Sequence, residues 1–198
     1  MLIKICGLTR TEDAEAAVAA GADLLGFIFV PGTPRALDPE RVPWIREVVG
    51  AEKVGVFRDA PLDEILAVRD ALELDRVQLH GDEPEAFLDR LGSGTLRRVC
   101  PGDDMDWQWV ADLGRRCLPL LDPGAGDGKA WAWQALAERP SGISFGLAGG
   151  LTPENVAEAI RLVRPALVDV SSGVEAAPGI KDHTRIREFI AAARDIRP

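Results

Sequence analysis

Short runs of Val, Ile, Leu and Phe recur along the chain at 2–6, 24–29, 53–57, 76–80, 96–100, 117–122, 142–148 and 166–170. Most are continuously apolar rather than alternating, as strands read when both of their faces are buried. Helical patterns lie between them, at about 11–20, 39–49, 61–73, 83–91, 104–115, 130–138, 152–163 and 182–195. Several open on start signals. Asp38-Pro39-Glu40, Asp82-Glu83-Pro84-Glu85 and Thr152-Pro153-Glu154-Asn155 each set a capping residue or proline with glutamate in a first turn. Pro43 falls one turn into the second helix, which is therefore expected to start irregularly or restart there.

Strict alternation of strand and helix predicts an α/β protein with a parallel sheet and helices outside. Eight units closing on themselves make a (β/α)8 TIM barrel. The structural alternative is an open doubly wound sheet, which normally has fewer strands and a switch-point crevice. The 198 residues suit one domain spanning 1–198, at about 25 residues per unit, the floor of the usual barrel size. A compact barrel with minimal insertions is expected.

Charge and composition narrow the partners. The chain carries 32 acidic against 23 basic residues, a net charge of −9, so a broad nucleic-acid footprint is excluded. A small anionic ligand is not, since a few backbone N–H groups and one arginine can hold it. No apolar run reaches the roughly 18 residues of a membrane span. The start, Met1-Leu-Ile-Lys-Ile-Cys6, lacks the features of a signal peptide, and a cytoplasmic protein is expected. Three cysteines at wide spacing, Cys6, Cys100 and Cys117, give neither a disulfide framework nor a zinc pattern. Two histidines, His80 and His183, are too few for most histidine-based metal sites.

In such a barrel the active site lies at the C-terminal ends of the strands. Polar residues and glycines gather there: Cys6-Gly7, Pro31-Gly32-Thr33-Pro34-Arg35, His80-Gly81, Asp122 through Lys129, Gly149-Gly150, and Asp169-Val170-Ser171-Ser172-Gly173. Gly149-Gly150-Leu151-Thr152-Pro153 runs into a capped helix and offers free N–H groups to an anion. Ser172 and Gly173 follow strand 8. Together these loops point to phosphate, although such glycines also serve tight turns.

Cysteine is commonly a small buried apolar residue, a reading that suits Cys100 and Cys117. Cys6 differs, because it ends a strand and should face the barrel mouth. Asp122 ends strand 6 and projects into the same mouth. A thiol and a carboxyl there are candidates for a base and an acid, with a turn or cap role as the alternative for Asp122. Lys4 shares the face of Cys6, and if that face is interior its ammonium needs a carboxylate, for which Asp169 on strand 8 is placed. A solvent-exposed Lys4 would put the strand phase in error. His80 reads as a ligand contact or structural donor ahead of a catalytic group, and His183 as a surface or capping residue. Trp107, Trp109, Trp131 and Trp133 read as packing, with 131–133 also able to line an aromatic ring.

Lys4-Ile5-Cys6-Gly7-Leu8-Thr9, Gly26-Phe27-Ile28-Phe29, Val54-Gly55-Val56-Phe57, Val77-Gln78-Leu79-His80-Gly81, Gly149 through Val156 and Val168 through Glu175, followed by Pro178-Gly179-Ile180-Lys181-Asp182, together resemble the phosphoribosylanthranilate isomerase family. The matches run in order over essentially the whole chain. The resemblance implies a step of tryptophan biosynthesis, the Amadori rearrangement of N-(5-phosphoribosyl)anthranilate to an open-chain 1-deoxyribulose product. It implies Cys6 as general base and Asp122 as general acid, Arg35 against the anthranilate, Asp169 orienting the substrate, and the phosphate at the N–H groups around Gly149, Gly150 and Gly173; His80 and Ser172 are expected to bind substrate from their places at the ends of strands 4 and 8. It implies no metal and no organic cofactor, and a small-molecule substrate as partner; the sequence leaves open whether the protein is a monomer or a homodimer.

Three departures stand out. Ala148 replaces a serine often found before the glycine pair, Trp131-Ala132-Trp133 replaces a Phe-Asp-Trp helix start, and Ala36-Leu37 follows Arg35 where a larger residue is usual. Two other readings compete: another sugar-phosphate isomerase or epimerase, and a barrel that binds an anionic metabolite without turning it over. Metal-dependent epimerases want more His and carboxylate ligands than this chain has. Histidine-pathway barrels favour aspartates where strands 1 and 5 here end in Cys6 and Cys100.

Overall fold

A computed structural model of the chain describes residues 1–102, 105–124, 133, 136 and 139–195. Among these, eight parallel strands close into a barrel in sequence order: β1 (Leu2–Cys6), β2 (Leu24–Ile28), β3 (Glu52–Phe57), β4 (Arg76–Leu79), β5 (Leu96–Val99), β6 (Leu118–Leu121), β7 (Gly146–Leu147) and β8 (Leu167–Val170). The α-helices are α1 (Thr11–Ala20), α2 (Leu62–Ala71), α3 (Leu88–Leu91), α4 (Trp107–Leu113), α5 (Val156–Val163) and α6 (His183–Arg194).

The two-residue period of a strand sorts the apolar runs into two cores. Leu24, Val54, Leu96, Leu120, Ala148 and Leu167 form a small cluster that plugs the barrel interior. Residues of opposite parity, among them Ile3, Ile5, Leu25, Phe27, Leu79, Val99, Leu121 and Val168, join the larger core under the helices. α5 buries Val156, Ala159, Ile160 and Val163, and α6 buries Ile186, Phe189, Ile190 and Ala193. Both sets follow the i, i+3, i+4, i+7 spacing of a helix stripe laid on a sheet.

The interior also carries a charge pair. Lys4 and Asp169 are register partners on β1 and β8, and their side chains meet at 2.9 Å with Lys4 fully buried. The expected phase of β1 therefore holds. On the other side of Lys4 stands β2, where a Cβ on Gly26 would lie 2.7 Å from the Cys6 sulfur and 3.0 Å from the Lys4 nitrogen. Glycine at 26 is what lets both side chains occupy the interior.

The helical segments depart from the sequence pattern where proline or an inward-turning side chain intervenes. The 39–49 segment is two 3-10 turns, Pro39–Arg41 and Pro43–Glu47, split at Pro43 as expected. The 83–91 segment is a 3-10 turn, Glu85–Phe87, and the one-turn α3, because the buried Glu83 carboxylate accepts from the N–H groups of Asp59 and Gly81. Asn155, not Thr152, is the N-cap of α5. β7 is shorter than 142–148, with Gly142 at a left-handed φ of 87° ahead of it. A hairpin of β9 (Glu175–Ala177) and β10 (Ile180–Lys181), absent from the sequence reading, follows β8. The helix expected at 130–138 lies outside the described residues apart from 133 and 136. No helix among the described residues is long and apolar enough to cross a membrane.

Removing one member of a buried pair leaves the other charged in a dry place, at a typical cost of about 3 kcal/mol or more. Lys4→Met is therefore expected to lose about 3 kcal/mol in urea unfolding, and adding Asp169→Leu to recover much of it. Equal losses in the single and double variants would show that the pair does not govern barrel stability.

Candidate active site

A cavity of about 480 Å³ opens at the C-terminal ends of the strands, lined in part by Cys6, Arg35, His80, Asp122, Gly149, Gly150, Asp169 and Ser172. Eight of the nine residues singled out in the sequence thus share one cavity. The ninth, Gly173, is not in its lining. A Cβ there would fall 1.9 Å from the Leu151 carbonyl oxygen, so Gly173 serves by letting the β8 loop press against the β7 loop.

Strand phase explains the set. Lys4 and Cys6 on β1, Gln78 and then His80 at the end of β4, Asp122 after β6, and Asp169 on β8 all share the interior parity. Below the mouth this parity meets leucine; at the mouth it meets groups that hold or move protons. The opposite end of the barrel uses its carboxylates differently: Asp23 and Asp75 accept from the Ile3 and Lys53 backbone N–H groups and tie the strand starts together.

Electrostatics set the states of these groups. Burial would lower Lys4, but the charges of Asp169 and Cys6 outweigh it and push the ammonium up to about 12. Lys4 is the member of its pair whose charge is secure. Burial pushes Asp169 up against the pull of Lys4, and its Oδ1 is buried without a hydrogen-bond partner while Oδ2 holds the lysine. Asp169 also belongs to the cavity lining, so pairing with Lys4 leaves it beside the ligand space. Burial also pushes the Cys6 thiol up, with Lys4 working in the opposite direction.

His80 is lowered to about 4, first by burial and then by the charges of Arg98 and Arg58. It is neutral at pH 7. Gln78 Nε2 lies 3.2 Å from His80 Nδ1, and with the amide oriented to donate there, the imidazole proton sits on Nε2. His80 Nε2 is 3.9 Å from Asp122 Oδ2, which makes an uncharged neighbour rather than an ion pair. The other Asp122 oxygen accepts from the Gly124 N–H at 2.8 Å.

Arg35 reaches the cavity across Gly7, where φ is +72° and a Cβ would sit 2.5 Å from the arginine Cδ. Its Nε and Nη2 form a fork onto Glu175 at 2.7 and 2.6 Å. Glu175 also accepts from Lys181 at 2.9 Å, and together these cations hold its carboxyl below the usual range despite burial. Arg35 lines the cavity with this fork occupied.

At the other wall, Gly149 and Gly150 have φ of 85° and 68°, and Asn155 pins the loop by accepting from Thr152 N–H and donating to the Gly150 carbonyl. No described group accepts a hydrogen bond from the Gly149 or Gly150 N–H. This is a loop with donors to spare at the start of α5, suited to an anion.

The family model for N-(5'-phosphoribosyl)anthranilate (PRA) isomerase matches residues 3–192. The N-(5'-phosphoribosyl)anthranilate isomerase of Geotalea daltonii is 43% identical over 200 residues, covering 98% of this chain and 96% of that one. The crystal structure of the phosphoribosyl anthranilate isomerase from Thermotoga maritima superposes with a TM-score of 0.89 at 38% identity, over 99% of this chain and 100% of that one. A structure of the isomerase in complex with reduced 1-(o-carboxyphenylamino)-1-deoxyribulose 5-phosphate has a TM-score of 0.85 at 37% identity, over 99% and 100%.

The chain belongs to the phosphoribosylanthranilate isomerase family. Within that frame some readings change. Cys117 is buried, and its thiol is pushed up to about 11 by burial, but Cys100 is exposed. The β5 ladder ends at Val99, so Cys100 lies past the last paired residue and beside Pro101. His183 opens α6 next to its N-cap Asp182, keeps its side chain 38% exposed, and bonds the buried Asp13 at 2.8 Å, which ties α6 to α1. Trp107 packs against Phe145 and Trp133 is buried in the outer core, away from the cavity lining. Trp131 and the segment Ala125 through Lys129 lie outside the described residues.

Sequence reasoning gave no role to Gln78, Arg58, Arg98 or Glu175. For Gln78 and Arg98 the missed signal was parity: each is a polar residue two positions from an interior one. For Glu175 no local signal exists, since its partner is 140 residues away.

The depressed His80 gives a direct check. Its ring carbon resonances should titrate in NMR with a midpoint near 4, and a midpoint near the ordinary 6.5 would contradict the burial and charge described here. The sign for stability follows. The unfolded chain takes up a proton near 6.5 that the native site refuses until about 4, so the His80 contribution is present above 6.5 and lost as pH falls towards 4.

Proposed function

We propose that the chain isomerises N-(5-phosphoribosyl)anthranilate to 1-(o-carboxyphenylamino)-1-deoxyribulose 5-phosphate, with Cys6 as general base and Asp122 as general acid. The reading is carried by one observation: a thiol and a carboxyl, on strands three steps apart around the barrel, line one cavity whose rim has an anion-ready loop.

Asp122 gives a proton to the ring oxygen as the furanose opens to a Schiff base. The Cys6 thiolate takes the proton from C2′, and the resulting enolamine tautomerises to the ketone. One proton enters and one leaves, so the net change is an isomerisation. Lys4, beside the sulfur, favours the thiolate that this step needs, against the burial that opposes it. The phosphate takes the Gly149 and Gly150 N–H groups with Ser172 at the facing loop. The anthranilate ring lies against the planar face of Arg35, and a substrate hydroxyl donates to the unpartnered oxygen of Asp169. The proposed setting is the cytoplasm.

The change in anthranilate fluorescence on turnover provides the assay. Cys6→Ala and Asp122→Asn should each fold and each lose kcat by about 1000-fold, within the range general acid–base groups contribute. A variant that turns over at near the parent rate would remove its residue from the proposed role.

A further inference from the structure

Arg98 occupies the interior parity of β5, two residues after the plugging Leu96, and points its guanidinium at the end of the neighbouring strand. Its Nε donates to the Asp122 carbonyl at 3.0 Å and its Nη2 to the Pro123 carbonyl at 2.8 Å. The turn is folded tightly over this group. A Cβ on Gly124 would lie 2.2 Å from Nη2 and 2.5 Å from Cζ, and Gly124 has a left-handed φ of 72°. Gly124 in turn donates its N–H to Asp122 Oδ1 at 2.8 Å.

These contacts form a closed circuit. The guanidinium fixes two successive carbonyls, the turn they belong to brings the Gly124 N–H round, and that N–H holds one carboxylate oxygen. The other oxygen, Oδ2, is left towards the cavity and His80. We propose that Arg98 is the positioning residue for Asp122, its two-pronged grip on the Asp122 and Pro123 carbonyls setting where the carboxyl stands in the cavity. The proposal rests on the reading of Asp122 as general acid.

A fork is required because two acceptors on adjacent residues need two donors in a fixed plane. Lysine in the same place keeps the charge but supplies a point donor. The charge has its own effect, since Arg98 is the largest electrostatic contributor to the lowering of His80. Lysine therefore separates the grip from the charge.

The test compares Arg98→Ala, Arg98→Lys, Gly124→Ala and Asp122→Asn in the fluorescence assay, with melting to confirm folding. Arg98→Ala should lose kcat by roughly 100-fold, the scale of a misplacement of about 1 Å, with KM changed by less than about 3-fold. Added methylguanidinium should restore part of that loss in Arg98→Ala and none in Asp122→Asn. Arg98→Lys should lose nearly as much kcat while His80 still titrates near 4. Gly124→Ala should lose kcat too, and combined with Arg98→Ala it should add little. Should Arg98→Ala fail to fold, Arg98→Lys carries the same comparison. Parent-like kcat in Arg98→Lys, or a loss confined to KM, overturns the grip. If Asp122→Asn is inactive while both Arg98 variants turn over normally, only the positioning role falls. A parent-like rate in Asp122→Asn overturns the acid role and the positioning role together.

Discussion

An ammonium buried inside a barrel must be answered by a carboxylate in reach, and in this chain the answer comes from the far end of the sequence. Lys4 and Asp169 are 165 residues apart and meet only when β8 closes against β1. The pair is thus satisfied when β8 closes against β1, and not in an open sheet that keeps the strands in sequence order from β1 to β8. Much of the site follows from it. Gly26 is empty so that Lys4 and Cys6 can share the interior, Lys4 carries the charge that favours a Cys6 thiolate, and Asp169 keeps one oxygen unpartnered. A buried ion pair is weak evidence of net stability, because desolvation offsets attraction. Its value here is in specifying closure and register.

The pattern of the sequence carried the barrel well because each apolar run does two jobs. Interior and exterior positions are both apolar along most of each strand, so the runs stand out, and the few polar interruptions mark the mouth. Lys4, Cys6, Asp122 and Asp169 could be placed by counting in twos. The helices were harder where their capping signals are shared with other structure. Glu83 reads as a first-turn acid but satisfies two loop N–H groups, and Thr152 reads as a cap although Asn155 takes that place. Arg35 with Glu175 was out of reach for another reason. A side-chain fork between loops 140 residues apart leaves no trace in local periodicity. Cys100 misled because cysteine's preference for burial says nothing about where the strand ends.

The glycines repay attention for what they admit rather than for their flexibility. Gly7 admits the Arg35 side chain, Gly26 admits Lys4 and Cys6, Gly124 admits the Arg98 guanidinium, and Gly173 admits the Leu151 carbonyl. In three of these four places the admitted group is a cation. The mouth of the barrel is therefore built by bringing positive side chains closer to the backbone than any Cβ would allow.

That accumulation of positive charge explains how an acidic chain can serve an anionic ligand. The net charge of −9 is spread over the surface, while Lys4, Arg35, Arg58 and Arg98 converge on one end of the barrel. Two of them are committed, Lys4 to Asp169 and Arg35 to Glu175, so they set the potential without being free to capture the ligand as a point charge. Burial first, and then the charges of Arg98, Arg58 and Lys4, cost His80 its proton. A neutral imidazole beside Asp122 makes no ion pair with the carboxyl. The cavity thus separates two tasks: anion binding, left to backbone N–H groups in a field of committed cations, and proton transfer, left to Cys6 and Asp122 beside a neutral His80.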